Sequence, residues 1–207
     1  MYQLDTEAAR GAESTGTRIA ERGKYKGKFT RAQHVITKDK GTQAIDFDFQ
    51  ADDGRRARFT IYTLNGNGEQ IYGFKQLMAI MTCLGLRSLA DPKRIPAKIY
   101  DFDLKREVEQ TVEQFAELLG KPIGILFVIE EYQPGKFRPV MAGAFQASTE
   151  LVASEILDRK TTPAKLSHMV QALRDKPYKG ASSGGSIEDG NRAAAEAGAA
   201  YDDDIPF

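Results

Sequence analysis

Between Gly23 and Thr63 apolar and polar residues take turns. GKYKGKFTRAQHVIT places Tyr25, Phe29 and Val35 on one parity and Lys24, Lys26, Lys28 and His34 on the other, the alternation of a half-buried strand. KDKGT reads as a turn, and AIDFDFQ then sets Ile45, Phe47 and Phe49 against Asp46, Asp48 and Gln50. ADDGR carries the Asp-Gly pair favoured in tight hairpins. A third strand follows in ARFTIYT, with Phe59 and Ile61 on one face and Arg58, Thr60 and Tyr62 on the other. Three hairpin-linked strands predict an antiparallel meander, with Phe29, Phe47, Phe49 and Phe59 in its core.

After the polar loop NGNGEQ the period lengthens. Phe74, Leu77, Met78, Met81 and Leu84 recur at three- and four-residue spacing, which predicts an amphipathic helix ending at Gly85. Val108, Val112, Phe115 and Leu119 predict a second helix over roughly Lys105–Leu119, stopped by Gly120 and Pro122. IGILFVIEEYQ, Ile123 to Gln133, is apolar on both parities like a central strand, and QPGK turns it back into FRPVMAGAFQA. TELVASEILD and PAKLSHMVQALRD predict two short helices, with Pro163 suited to opening the second. The fold class expected is mainly β with α additions: a five-stranded antiparallel barrel of the OB type, helices between its third and fourth strands, and a helical C-terminal cap.

Composition sharpens the domain boundaries. Residues 1–20 are small, polar and aperiodic and read as a flexible arm, and residues 21–177 carry the barrel. Residues 178–201 collapse into Gly, Ala, Ser and acidic residues, which bury too little apolar surface to offset the entropy of ordering. They predict a disordered linker with a root-mean-square reach of roughly 25 Å. It leads to DDDIPF at 202–207. A single cysteine, Cys83, excludes an intramolecular disulfide and fits a reducing cytoplasm. The N-terminal residues hold no apolar segment of the signal-peptide kind, and no apolar run is long enough to span a membrane. The net charge of zero hides an asymmetry. From Ala181 to Phe207 six acidic residues face one basic residue, a net of −5, so residues 1–180 hold 28 basic against 23 acidic residues, or +5. A mildly basic body with an acidic tail points toward nucleic acid, membrane or self-masking.

No catalytic constellation emerges. The two histidines, His34 and His168, stand apart in a strand and a short helix, and Asp46/Asp48 and Glu130/Glu131 lack carboxylate–histidine metal spacing. Cys83 lies on an apolar stripe, where a buried thiol is expected. The chain is therefore read as not an enzyme and as needing no cofactor or metal. Binding chemistry is better represented. KYKGKFTR interleaves Lys24, Lys26 and Lys28 with aromatic residues; Lys38 and Lys40 follow the first strand; Arg55, Arg56 and Arg58 enter the third strand beside Tyr62. Tyr132, Lys136, Phe137 and Arg138 flank the turn after Gln133. Cations along a backbone path and aromatic faces on which any base stacks are what single-strand binders need.

DDDIPF resembles the C-terminal tip of bacterial single-stranded-DNA-binding proteins, residue for residue from Asp202 to Phe207, and like theirs it follows a glycine-rich linker. GKYKGKFTRAQ, AIDFDFQADDGRRARF, IYGFKQLMAIMTCLGLRSL and GKPIGILFVIEEY resemble a family of phage-encoded OB-fold single-stranded-DNA-binding proteins, over approximately residues 20–177. The resemblance implies sequence-independent binding of single-stranded DNA in the bacterial cytoplasm, in phage replication, recombination or repair. It also implies that the tip recruits partner proteins of those processes. The chemistry suits that role: Phe207 offers a ring and an α-carboxylate, Pro206, next to Ile205 of the same tip, limits the entropy lost on docking, and Asp202, Asp203 and Asp204 attract a basic rim. An adaptor that displays the same tip without binding DNA is the alternative. Edge strands or the C-terminal helices leave a homodimer open.

Overall fold

The three alternating segments form the strands β1 (Gly23–Ile36), β2 (Gln43–Ala51) and β3 (Arg56–Leu64), paired antiparallel in the expected order. The computed structural model of the chain describes residues 18–101 and 106–178. The arm up to residue 17, the linker beyond residue 178 and the tip at 202–207 lie outside the described residues. Residues 18–20, which the composition assigns to the arm, belong to the body: Ile19 is 1% exposed and its N–H donates to the Arg56 carbonyl at 2.8 Å.

The helix between the meander and the later strands is α1 (Tyr72–Cys83), and it stops where expected, with Gly85 in the left-handed conformation at φ 68°. The second predicted helix is not one. Arg106–Gln114 is a strand, β5, antiparallel to β4 (Lys93–Asp101), which the sequence pattern left unassigned. The reason is arithmetic. A spacing of four puts Val108 and Val112 on one face of a helix and equally on one face of a strand. Ile95 and Ile99 stand opposite them in register, Ile95 against Val112 and Ile99 against Val108. Only Ala116–Leu118 is helical there, as a short 3₁₀ turn.

β6 (Pro122–Gln133) and β7 (Lys136–Phe145) follow, then α2 (Ala153–Leu157) and α3 (Lys165–Ala172). The sheet has seven strands rather than five: β3-β2-β1-β5-β4 in order, with β6 pairing both β1 and β7. β1 therefore has one edge on β2 and divides the other, taking β6 along Gly23–Lys28 and β5 at Gln33. No closed barrel forms among the described residues, since no ladder joins β3 to β7.

Two cores explain why β6 is apolar on both faces. Its Ile123, Ile125 and Phe127 join Phe29, Phe47, Phe49 and Phe59 beneath α1, where rings meet at centroid distances of 4.5 Å (Phe29 and Phe47) and 5.4 Å (Phe59 and Phe127). Leu126 and Val128 on the opposite face pack with Phe145, Val152, Leu166 and Leu173 under the C-terminal helices. The carboxylate of Glu155 ties those helices together, accepting hydrogen bonds from the backbone N–H groups of Val152, Ala164 and Lys165. β1 departs from simple alternation at one point. A bulge between Phe29 and Arg31 leaves Thr30 unpaired and exchanges the faces. Beyond it Arg31 points outward, and His34 turns toward the core side, edge-on to Phe115 at 5.7 Å. The sequence pattern expected His34 on the lysine side and Val35 with Phe29, which holds only up to the bulge.

Candidate nucleic-acid interface

The outer face of β1-β2-β3 is where an OB-type sheet would offer a binding surface. Here it carries a compact ionic network. Arg31 grips Asp48 with two hydrogen bonds, at 2.9 and 3.0 Å, and Arg58 donates to the same carboxylate at 2.8 Å. Thr60 donates to Asp46 at 2.6 Å. Burial pushes the Asp48 carboxyl up, but the hydrogen bonds and charges of the two guanidinium groups outweigh it and hold it below the usual carboxylate range. Arg31 is only 4% exposed although it points away from the core.

A second feature adjoins this network. β5 leaves β1 at Gln33, opposite Gln114, and near its other end Glu107 meets Arg56 of β3 at 2.9 Å. At roughly 3.3 Å per residue, the stretch from Gln114 back to Glu107 is long enough to cross three strands about 4.8 Å apart. The β4–β5 hairpin is thus tied to β1 at one end and to β3 near the other. Gln114 roots it: its fully buried side chain accepts from the Ala32 N–H at 3.1 Å and donates to the Ile95 carbonyl at 3.2 Å.

The candidate cations divide by place and by partner. Lys38 and Lys40 sit in the β1–β2 turn, where the Lys40 backbone lies against Gly66 of the loop before α1. Arg55 pairs with Asp53 at 2.7 Å and lies over the Tyr25 ring, 4.8 Å from its centroid. Arg56 pairs with Glu107, Arg58 with Asp48, and both Lys24 and Lys26 with Glu150. Arg138 pairs with Glu130 at 2.8 Å and lies 5.3 Å over the Tyr132 ring. Lys28, Lys38 and Lys136 make no ion pair among the described residues. Tyr62 shares the outer face with Arg58 but stands nearer the far end of β3.

What the fold does assemble is a groove of about 770 Å³ where residues 18–20, the β6–β7 hairpin and residues 175–177 meet. Ile19, Ile129, Pro139 and Pro177 contribute apolar lining, Tyr132 and Phe137 add rings, and Arg18, Lys136, Arg138 and Lys176 add charge. Phe137 is 54% exposed, unusual for a ring of that size. Arg18 donates to the Phe137 carbonyl at 3.0 Å, and the bridge between Arg18 and Arg56 brings the β2–β3 turn to the same end of the molecule. Tyr132, Lys136, Phe137 and Arg138 thus gather with Arg55 and Arg56, although the sequence separates them by about eighty residues. Arg18 and Lys176 belong to this end and were not foreseen. Neither lies in a stretch where cations alternate with aromatic residues, and nothing local marks it.

The described residues include no group of three or more His, Cys, Asp or Glu side chains able to hold a metal ion. Cys83 is buried, which pushes its thiol up to about 12 and keeps it protonated. No helix among the described residues is long and apolar enough to cross a membrane. Comparison of the chain with models of known protein families and with curated proteins returns no match.

Proposed function

We propose that this chain is a sequence-independent single-stranded-DNA-binding protein of phage replication and recombination, working in the cytoplasm of the bacterial host. In this reading β1, β2, β3, β6 and β7 are an opened version of an OB-type barrel, because β1 is shared between β2 and β6 and a helix separates β3 from the later strands. One observation carries the proposal: Phe137 and Tyr132 stand in a groove with Arg18, Lys136 and Lys176, at the end of the sheet that also holds Arg55 and Arg56. Rings stack any base, and the cations meet phosphates without reading sequence. The test is titration of a fluorescein-labelled oligo-dT across salt concentrations. Binding is expected with log affinity falling against log salt by about 0.7 per neutralised phosphate.

The tip at 202–207 is assigned the recruitment of replication, recombination or repair proteins, on the chemistry of its terminal Phe207 and three aspartates. Deleting residues 202–207 is expected to abolish capture of such partners. Unchanged partner binding and unchanged DNA affinity at low salt would refute a role for it. The adaptor reading has one observation in its favour, the pairing of most candidate cations with carboxylates of the same chain. Absence of oligo-dT binding at low salt selects it.

A further inference from the structure

Arg22, Lys24, Lys26 and Lys28 recur at every second residue along the start of β1. In a strand such residues share a side and follow one another at roughly 6.6 Å, close to the advance per nucleotide of an extended single strand. Two carboxylates from beyond β7 meet this row. Asp175 accepts from Arg22 at 2.8 Å, and the Glu150 carboxylate bridges Lys24 at 3.0 Å and Lys26 at 2.9 Å. Two negative charges against four positive ones leave the row cationic.

Glu150 is held there against local preference. Its φ of 61° is left-handed, a conformation costly for a residue with a Cβ. Its N–H donates to the Gln146 carbonyl, and so the loop aims the carboxylate at the two lysines. A carboxylate bridging two ammonium groups occupies the position of a phosphate. Both lysines and the glutamate remain partly exposed, so the bridge is weak enough to exchange with a better anion.

We infer that the row Arg22, Lys24, Lys26 and Lys28 is the phosphate path of the bound strand, and that Glu150 is an intramolecular phosphate stand-in which the incoming backbone displaces. The inference rests on the single-stranded-DNA reading above and adds its route and its built-in competitor. The path begins beside the groove, since Asp175, the partner of Arg22, also lines it.

Glu150→Gln removes the competing charge and keeps the side chain's length. Fluorescein-labelled oligo-dT is expected to bind this variant roughly fivefold more tightly at low salt, the scale of a surface charge interaction. The gain should vanish when Lys24→Gln and Lys26→Gln are added. Glu150→Gly, which suits the left-handed backbone, repeats the test should the glutamine variant lose thermal stability. Affinity at or below wild type in both Glu150 variants overturns the inference, as does an unchanged salt slope in the Lys24→Gln/Lys26→Gln protein. In that event a wild-type chain that still binds oligo-dT leaves the DNA reading standing. A wild-type chain that binds none removes both.

Discussion

Phe137 and Phe47 are the same side chain put to opposite uses. Phe47 is wholly buried between Phe29 and Phe59, whereas Phe137 keeps more than half its surface in water beside Lys136. Phe137→Ala is expected to leave the melting temperature nearly unchanged and to weaken oligo-dT binding by ~1–3 kcal/mol, the worth of one stacked base. Phe47→Ala is expected to cost about 3–5 kcal/mol of stability, read as a shifted denaturant midpoint. Sequence parity separates the two only in part. It assigns Phe29, Phe47, Phe49 and Phe59 to the core, and they are there. It does not show that Thr30 is bulged, so His34 and Arg31 exchange the faces that strict alternation assigns them. A bulge is a property of two strands in register, and one strand's pattern does not contain it.

At the scale of elements, the β4–β5 hairpin departs most from what the sequence suggests, and it joins β1 at one end and β3 near the other. Its attachment is uneven. Arg56 and Glu107 form an exposed pair near one end, while Gln114 is buried at the other with both ends of its amide used. Gln114→Ala strands the buried Ala32 N–H and is expected to cost about 1–3 kcal/mol. Glu107→Ala is expected to cost less than about 1 kcal/mol. Chemical denaturation of the two variants measures the difference, and equal losses would contradict the assignment of Gln114 as the root. The hairpin escapes sequence inspection because valine–valine spacing of four serves both periods, and the choice falls to the partner strand that carries Ile95 and Ile99.

The molecule as a whole draws stability from carboxylates whose neighbours favour the charged form. Asp48 lies between Arg31 and Arg58 with its pKa lowered from 3.8 despite burial. Glu155 is lowered from 4.5 by backbone hydrogen bonds, first from Ala164 and then from Val152. A folded pKa below the unfolded one adds stability at pH values above the unfolded pKa, and that stability is lost as pH falls through the folded pKa. The melting temperature is therefore expected to decline as pH drops below about 5. Glu155→Gln should flatten the decline, and an unaltered pH profile in that variant would show that its carboxylate is not involved. At the same scale stands the division between chain and fold. The strand alternation, the α1 helix, the two-faced β6 and the change of composition after residue 178 were legible in the sequence, because each is set by local period or composition. So was the chemistry of the individual candidate residues. Tertiary structure alone decided which cations stand beside rings and which are neutralised by a carboxylate. Where the carboxylate is Glu107 or Glu150 it arrives from a distant part of the chain, and distance in sequence carries no sign of that approach.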